Sequence, residues 1–127
     1  MIYPQKKPRR VKGVSLDKEC MRLWGELVRI RAGHKCEKCG SEDRLQAHHI
    51  FTRSIARTRY AVNNGVCLCA GHHLFWAHKR PHEFRDYMTE KRGEQWWVLL
   101  RELSNIRGKV DLKLVKIYLQ GELNGTR

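Results

Sequence analysis

Apolar side chains recur at helical spacing near the start of the chain. They fall three or four residues apart and so form one face of a helix, made of Leu16, Cys20, Leu23, Trp24, Leu27, Val28 and Ile30. Ser15 precedes this stretch as a suitable N-cap, and Gly33 is a suitable end. The pattern therefore predicts a helix that begins after Ser15, ends near Gly33 and carries Cys20 into the core.

The middle of the chain has short apolar runs in place of helical spacing. Residues 45–51 and 65–68 are short enough to be strands, and a polar segment over 52–64 connects them. A helix is predicted from Gly71 onward, and Pro81 ends it because proline interrupts a helix. The predicted order in this region is strand, loop, strand, helix.

Three further apolar groups at helical spacing follow, near residues 84–88, 96–103 and 110–119. They predict a helical extension over residues 82–121, in which the Trp96–Trp97 pair packs into the core. The fold class predicted from these patterns is α+β and mainly helical. One small sheet is flanked by an N-terminal helix and C-terminal helices, in a single domain over residues 15–127.

The charge of the chain is strongly positive. Its 127 residues include 26 Lys and Arg against 13 Asp and Glu, a net charge of +13. This excess indicates a polyanionic partner, either nucleic acid or an anionic membrane. Residues 1–14 combine two prolines with little apolar content and predict a flexible basic arm. The cations of this arm are expected to contact phosphate, and they include Lys6, Lys7, Arg9 and Arg10. The alternative is that the arm only makes the protein more soluble.

Two features favour a cytoplasmic protein with reduced thiols. The start of the chain lacks the apolar run of a secretory signal, and the longest apolar stretch, residues 96–100, is far too short to span a membrane. The basic arm has no apolar face that could insert into a membrane surface. Clustered cysteines in a reducing compartment are metal ligands or catalytic groups rather than disulfides. We therefore expect no membrane partner and a cytoplasmic location, which would be the cytoplasm of the host if the protein is phage-encoded.

Four of the cysteine and histidine side chains have the spacing of a zinc site. Cys36 and Cys39 form one Cys-x2-Cys knuckle, and Cys69 and His72 repeat the x2 spacing. Together they predict a Cys3His site that holds a structural Zn²⁺, because four protein ligands leave no open coordination position. Cys67 has no x2 partner and is expected to be a core thiol.

A second group of histidines is not needed for that site. His48 and His49 end the first predicted strand, so their side chains point to opposite faces. A divalent cation on His48 and His73 would leave His49 free to act as a general base on water. Asn64, just before the second strand, is a candidate acceptor that would fix the tautomer of His49.

At these positions the chain resembles the HNH endonucleases of the ββα-metal (His-Me) fold, in particular small stand-alone phage or bacterial members with structural zinc. The resemblance covers residues 34–80 and rests on His49, Asn64 and His73 between the two knuckles. It implies that His48 and His73 bind the catalytic cation. It also implies that His49 activates water, that Asn64 positions it, and that cleavage leaves 5′-phosphate and 3′-hydroxyl ends.

Some relatives carry a third metal-binding histidine four residues after the position of His73. Here that position is Ala77, and His78 follows one residue later. Five residues of α-helix rotate a side chain by about 140°, so His78 is expected to contact phosphate rather than bind the metal. Mg²⁺ or Mn²⁺ is the expected catalytic cation, with Ni²⁺ or Zn²⁺ as alternatives.

The function predicted from these residues is a metal-dependent DNA endonuclease of low sequence specificity. Its biological role would be packaging, recombination or restriction. In packaging, its possible partners are phage packaging proteins. Phosphate contacts are expected from the loop after the base, which contains Arg53, Arg57 and Arg59. The alternative is a non-catalytic, zinc-containing module that binds nucleic acid. Nicking or double-strand cleavage, and the oligomeric state, are left open.

Overall fold

The computed structural model describes residues 15–126, and the basic arm predicted over residues 1–14 lies outside them. This part of the chain is mainly helical with a small antiparallel sheet, as the apolar pattern predicts. Its regular elements are α1 Leu16–Arg31, β1 Leu45–His49, α2 Ala56–Arg59, β2 Gly65–Cys69, α3 Ala70–His72, α4 Pro81–Arg92, α5 Glu94–Ser104 and α6 Leu112–Asn124. A 3-10 turn, Val62–Asn64, precedes β2, and a π-helix, His73–Ala77, continues α3.

The N-terminal helix α1 forms where its apolar spacing and cap predict. The hydroxyl of Ser15 accepts a hydrogen bond from the Lys18 backbone N–H at 3.3 Å, which satisfies one free donor of the first turn. Its apolar face is buried against α6 and one face of the sheet, and Cys20 is fully buried there. The predicted role of Cys20 as a core thiol is therefore confirmed.

Strands β1 and β2 pair antiparallel, with His48 opposite Val66 and His49 opposite Gly65. The two faces of this sheet belong to two separate cores. Cys67 packs under α1. Val66 and Leu68 pack on the other side against α4 and the π-helix. Because neighbouring residues of a strand point to opposite faces, the sheet directs His48 and His49 into different halves of the molecule.

The outer edge of β2 is closed by side chains instead of a third strand. Glu37 donates its backbone N–H to the Cys67 carbonyl and accepts the Cys67 N–H on Oε2, both at 2.8 Å. Arg92, in the last turn of α4, ion-pairs with Glu37 at 2.9 Å and donates to the Gly65 carbonyl. These contacts satisfy strand groups that would otherwise be unpaired, and they tie the first knuckle to α4.

The chain departs from the sequence prediction mainly between and after the strands. β1 ends at His49, because Ile50 and Phe51 donate their backbone N–H groups to Asn64 instead of to the sheet. The segment over 52–64, predicted as a polar connection, contains α2 and the 3-10 turn. The last helix continues through Gly121 to Asn124, beyond its predicted end.

The C-terminal helices form the extension predicted from residue 82. Pro81 occupies the first turn of α4, where its missing N–H costs no hydrogen bond. Trp96 and Trp97 are half-buried rather than fully in the core, and the indole of Trp97 stacks on Phe51 with ring centroids 5.1 Å apart. Within residues 15–126, no helix is long and apolar enough to cross a membrane.

The contact of α1 with the start of β2 is close enough to test by substitution. A Cβ atom at Gly65 would lie 2.2 Å from Val28 Cγ2 and 2.9 Å from Trp24 Cζ2, so Gly65→Ala forces α1 away from the sheet. We expect the free energy of unfolding in urea to fall by about 3 kcal/mol. Gly71→Ala is the matched control, because nothing lies within 4 Å of its Cβ. Equal stabilities of the two variants would contradict this packing.

Candidate metal centres and candidate active site

The structure brings together the four residues predicted to form the Cys3His site. Their donor atoms all lie within 4.8 Å of one another. The Cys69 sulfur is 3.3 Å from His72 Nδ1, the Cys36 sulfur is 3.8 Å from the same nitrogen, and the Cys39 and Cys69 sulfurs are 3.9 Å apart. Two donors bound to one Zn²⁺ lie less than about 4.6 Å apart. The cluster could therefore hold a structural metal such as zinc.

Local backbone geometry selects Cys69 over Cys67 for this cluster. In a regular strand the two side chains would share a face, but β2 ends at Cys69 and the chain turns there into α3. The Cys69 sulfur consequently reaches His72, while Cys67 stays fully buried under α1. Burial and the nearby charge of Glu37 raise the pKa of the Cys67 thiol to about 11. Cys67 is therefore the protonated core thiol that the sequence predicts.

Cys36 has the opposite electrostatic environment. Burial raises the pKa of its thiol, but hydrogen bonds with the backbone of Cys69, Cys39 and Lys38 outweigh burial and lower that pKa to about 6. The thiolate, which is the form that binds metals, is thus favoured at neutral pH. The chain turns at Gly40, between Cys39 and Ser41. Gly40 has a φ of +77°, a conformation that favours glycine because it lacks a Cβ atom.

A second cluster contains His48, His73 and His78. Their ring nitrogens lie within 4.8 Å of one another, and Nε2 of His73 is 3.1 Å from Nε2 of His78. Burial, together with the two neighbouring imidazoles, lowers the pKa of His48 to about 3. A neutral imidazole is the form that binds a metal. The three donors could therefore hold a cation, and they leave room for further ligands.

The expectation that His78 turns away from His73 was wrong. It assumed an α-helix, but residues 73–77 form a π-helix in which the His78 N–H bonds to the His73 carbonyl at 3.3 Å. The wider π turn brings a residue five positions later back onto the same face. His78 therefore joins His48 and His73, with all three ring centroids within 5.0 Å of each other.

His49 lies on the other face of β1, where two contacts fix its ring. The imidazole stacks on the indole of Trp24, with centroids 3.9 Å apart and planes 9° apart. Nε2 is 2.9 Å from the backbone carbonyl of Arg59. A carbonyl can only accept, so Nε2 carries the proton and Nδ1 is the nitrogen with the lone pair. Burial, only partly offset by the bond to Arg59, lowers the pKa of His49, so the ring is neutral at pH 7.

Asn64 does not contact His49 and cannot fix its tautomer. The acceptor that fixes the tautomer of His49 is the Arg59 carbonyl. The Asn64 side chain is fully buried and serves the loop after β1. Its oxygen accepts from the Phe51 N–H at 2.7 Å, and its amide nitrogen donates to the carbonyls of Phe51 and Thr58, both at 3.0 Å. Asn64 therefore holds in place the loop that carries the Arg59 carbonyl.

The three loop arginines expected to contact phosphate have different environments. Arg59 is committed within the protein, because its guanidinium ion-pairs with Asp17 of α1 at 2.9 Å and donates to the Arg53 carbonyl at 3.0 Å. Tyr60 also donates its hydroxyl to Asp17. Arg53 and Arg57 are exposed. Two of the three are therefore available to a ligand. Lys6, Lys7, Arg9 and Arg10 lie outside the described residues.

Sequence reasoning missed Trp24 and the Arg59 carbonyl as neighbours of His49, and it missed Asp17 as the ion-pair partner of Arg59. The apolar spacing predicts Trp24 on the buried face of α1, and Trp24 does pack there, but its indole also covers the ring of His49. Asp17 lies in the first turn of α1, where acidic residues are common. Nothing in the local sequence links Asp17 to Arg59 and Tyr60, since these contacts span 42 and 43 residues.

Comparisons with known proteins leave the family of this chain open. No protein-family model matches the sequence, and no curated protein or solved structure is similar to it at a significant level. The features of the chain that bear on its function are therefore the two clusters and the surroundings of His49.

The separate roles of the cysteines can be tested by metal analysis. We expect Cys36→Ser to lose the bound metal, because one of four donors is replaced by a weaker ligand. Cys67→Ala is the matched control, since it removes a buried thiol outside the cluster. The measurement is zinc content of the purified proteins by elemental analysis. Loss of zinc from both variants, or from neither, would contradict the assignment of Cys36 as a ligand.

Proposed function

We propose that this protein is a metal-dependent DNA endonuclease with a ββα-metal core, in which His49 is the general base. One observation carries the proposal. Consecutive residues of β1 present a three-histidine cluster on one face and, on the other, a neutral histidine with a fixed tautomer. A structural protein has no need of this arrangement, whereas phosphodiester hydrolysis needs both a cation and a base at one phosphate.

The residues of the second cluster suit a catalytic divalent cation. Bound there, the cation would stabilise negative charge on the phosphate and on the leaving oxygen. Three imidazole donors favour Mn²⁺, Ni²⁺ or Zn²⁺ over Mg²⁺, which prefers oxygen ligands. The participation of His78 therefore moves the expected cation away from Mg²⁺. The Cys3His cluster would hold Zn²⁺ as a structural ion that joins the first knuckle to the end of β2.

The reaction assigned to His49 is one proton transfer coupled to hydrolysis. Nδ1 accepts a proton from water, and the water oxygen forms a bond to phosphorus as the bond from phosphorus to the 3′ oxygen breaks. The 3′ oxygen takes up a proton and leaves as a hydroxyl, while the phosphate stays on the 5′ end. Cleavage therefore consumes one water per bond, and the proton held by His49 returns to solvent.

The contacts around His49 keep it ready for this step. The Arg59 carbonyl holds the proton on Nε2, so that Nδ1 is always the basic atom. The indole of Trp24 holds the plane of the ring, and Trp24 is itself fixed by a hydrogen bond from Nε1 to the Ala61 carbonyl at 2.8 Å. Trp24 and Arg59 are positioning residues in this account, and His49 is the catalytic residue.

Duplex DNA fits the charge of the protein. The net charge of +13 favours a polyanion, and the exposed Arg53 and Arg57 follow the base in the segment that connects β1 to β2. Binding through phosphates would be weakly dependent on base sequence and strongly dependent on salt. Packaging, recombination and restriction would each require such an activity.

The first test removes the base. We expect His49→Ala to reduce Mn²⁺-dependent plasmid nicking by about 10²–10⁴-fold, the usual contribution of a general base, while zinc content stays unchanged. His82→Ala, at an exposed histidine outside both clusters, should retain full activity. Undiminished nicking by His49→Ala would refute this role. If the wild type fails to nick DNA but binds it, the protein is the non-catalytic zinc module instead.

The second test concerns His78. If it binds the cation, His78→Ala should raise the Mn²⁺ concentration needed for half-maximal nicking by at least about tenfold. The rate at saturating Mn²⁺ should change less, because His48, His73 and His49 remain. His82→Ala again serves as the control. An unchanged Mn²⁺ requirement would show that His78 is a neighbour of the metal site and not part of it.

A further inference from the structure

A cavity of about 430 Å³ opens beside the loop that follows β1. One wall comes from that loop and from α2, and the opposite wall comes from the segment that leads into α6. The lining residues that matter here are Arg53, Ser54, Arg59, Lys109 and Asp17. The C-terminal extension thus contributes a cation, together with two apolar residues, to a cavity whose other lining residues come from α1 and from the segment between the strands.

The charges that face this cavity are unbalanced. Asp17 is the one carboxylate among its lining residues, and its charge is already matched by Arg59 and by the Tyr60 hydroxyl. Arg53 and Lys109 are both exposed, and neither forms an ion pair within residues 15–126. The cavity therefore has two cations without a counter-charge in the described chain, which is the electrostatic condition for binding an anion.

The backbone on both sides of the cavity is held in place. On the first side, the Arg53 carbonyl accepts from Arg59, and the Thr52 and Ser54 hydroxyls share a hydrogen bond of 2.7 Å. On the second side, Asp111 caps α6 by accepting from the N–H groups of Lys113 and Leu114, two residues after Lys109. Arg53 therefore lies in a hydrogen-bonded turn, and Lys109 lies two residues before a helix cap.

A glycine lets the second segment come close. Gly108 has a φ of +123°, and the guanidinium of Arg57 lies 3.3 Å from the point that a Cβ would occupy. Any other residue would meet backbone strain there and would push against Arg57. The close approach holds this segment against α2, and the next residue, Lys109, lines the cavity together with Arg53.

The cavity is directly connected to the candidate base. Arg59 lines the cavity with its side chain and accepts the Nε2–H of His49 on its backbone carbonyl. An anion between Arg53 and Lys109 would therefore be linked to His49 through Arg59, on the α1 side of the sheet. This position suits a phosphate next to the one that is cleaved, since His49 itself must face the cleaved phosphate.

We propose that this cavity is a binding site for a backbone phosphate of DNA adjacent to the scissile one, with Arg53, Lys109 and Ser54 as donors to its oxygens. The site rests on the proposed function and gives the C-terminal helices a specific role: they hold Lys109 in place. Arginine and lysine both bind phosphodiesters, arginine through a planar fork and lysine as a point charge.

The test measures DNA binding without cleavage. A short fluorescent DNA duplex is titrated with the His49→Ala protein and with His49→Ala/Lys109→Gln over a series of NaCl concentrations, without added divalent cation. We expect Lys109→Gln to weaken binding and to lower the slope of log Kd against log salt by about 0.9, the value for one lost phosphate contact. Arg101→Gln is the control, because it removes an exposed cation of the same extension outside the cavity.

Three results would overturn the inference. One is a Lys109→Gln slope equal to that of Arg101→Gln, with zinc content and circular dichroism showing that both variants are folded. Another is failure of the parent protein to bind the duplex at all. The third is equal displacement of DNA by inorganic phosphate, at constant ionic strength, from the parent and from Lys109→Gln, which would show that Lys109 is not part of a phosphate site. A normal slope change without plasmid nicking would instead refute only the proposed function.

Discussion

A two-stranded sheet is too small to be stable in water by itself, and everything else in the described fold compensates for this. One face is covered by α1 and the other by α4 and the π-helix. The outer edge of β2 is closed by Glu37 and Arg92. Because Glu37 lies between the two cysteines of the first knuckle, metal binding, edge closure and the end of α4 are parts of one structural unit. A metal at the Cys3His cluster would therefore stabilise the sheet directly.

The same constraint produces the chemistry we propose. Covering a strand on both faces gives each of two adjacent histidines its own environment: His48 joins two other imidazoles, and His49 is held between an indole and a carbonyl. A larger sheet with one solvated face could not do this, because one histidine would lie in water. Placing cation and base on consecutive residues also fixes their separation through the backbone, which is the most rigid connection available to two side chains.

Sequence reasoning succeeds here where the signal is local. Apolar spacing and a cap residue predict α1, and x2 spacing predicts the Cys3His cluster. It fails where distant segments or a choice of hydrogen bonds decide the outcome. The π-helix that recruits His78 differs from an α-helix only in which carbonyl each N–H selects, and apolar pattern does not encode that choice. The partners of Asn64 and Asp17 come from other elements, so only the folded chain identifies Asn64 as a loop support and the Arg59 carbonyl as the partner of His49.

We propose that this one sheet supports two metal sites, a structural site for the fold and a catalytic site for cleavage. Graded treatment with a chelator can separate the two sites when zinc content, circular dichroism and plasmid nicking are measured on the same samples. We expect nicking to disappear while one zinc per chain and full helicity remain, because four thiolate and imidazole ligands hold zinc far more tightly than three imidazoles hold a cation. Restoring Mn²⁺ should then restore nicking. Loss of nicking, zinc and helicity at one chelator concentration would contradict separate structural and catalytic roles for the two sites.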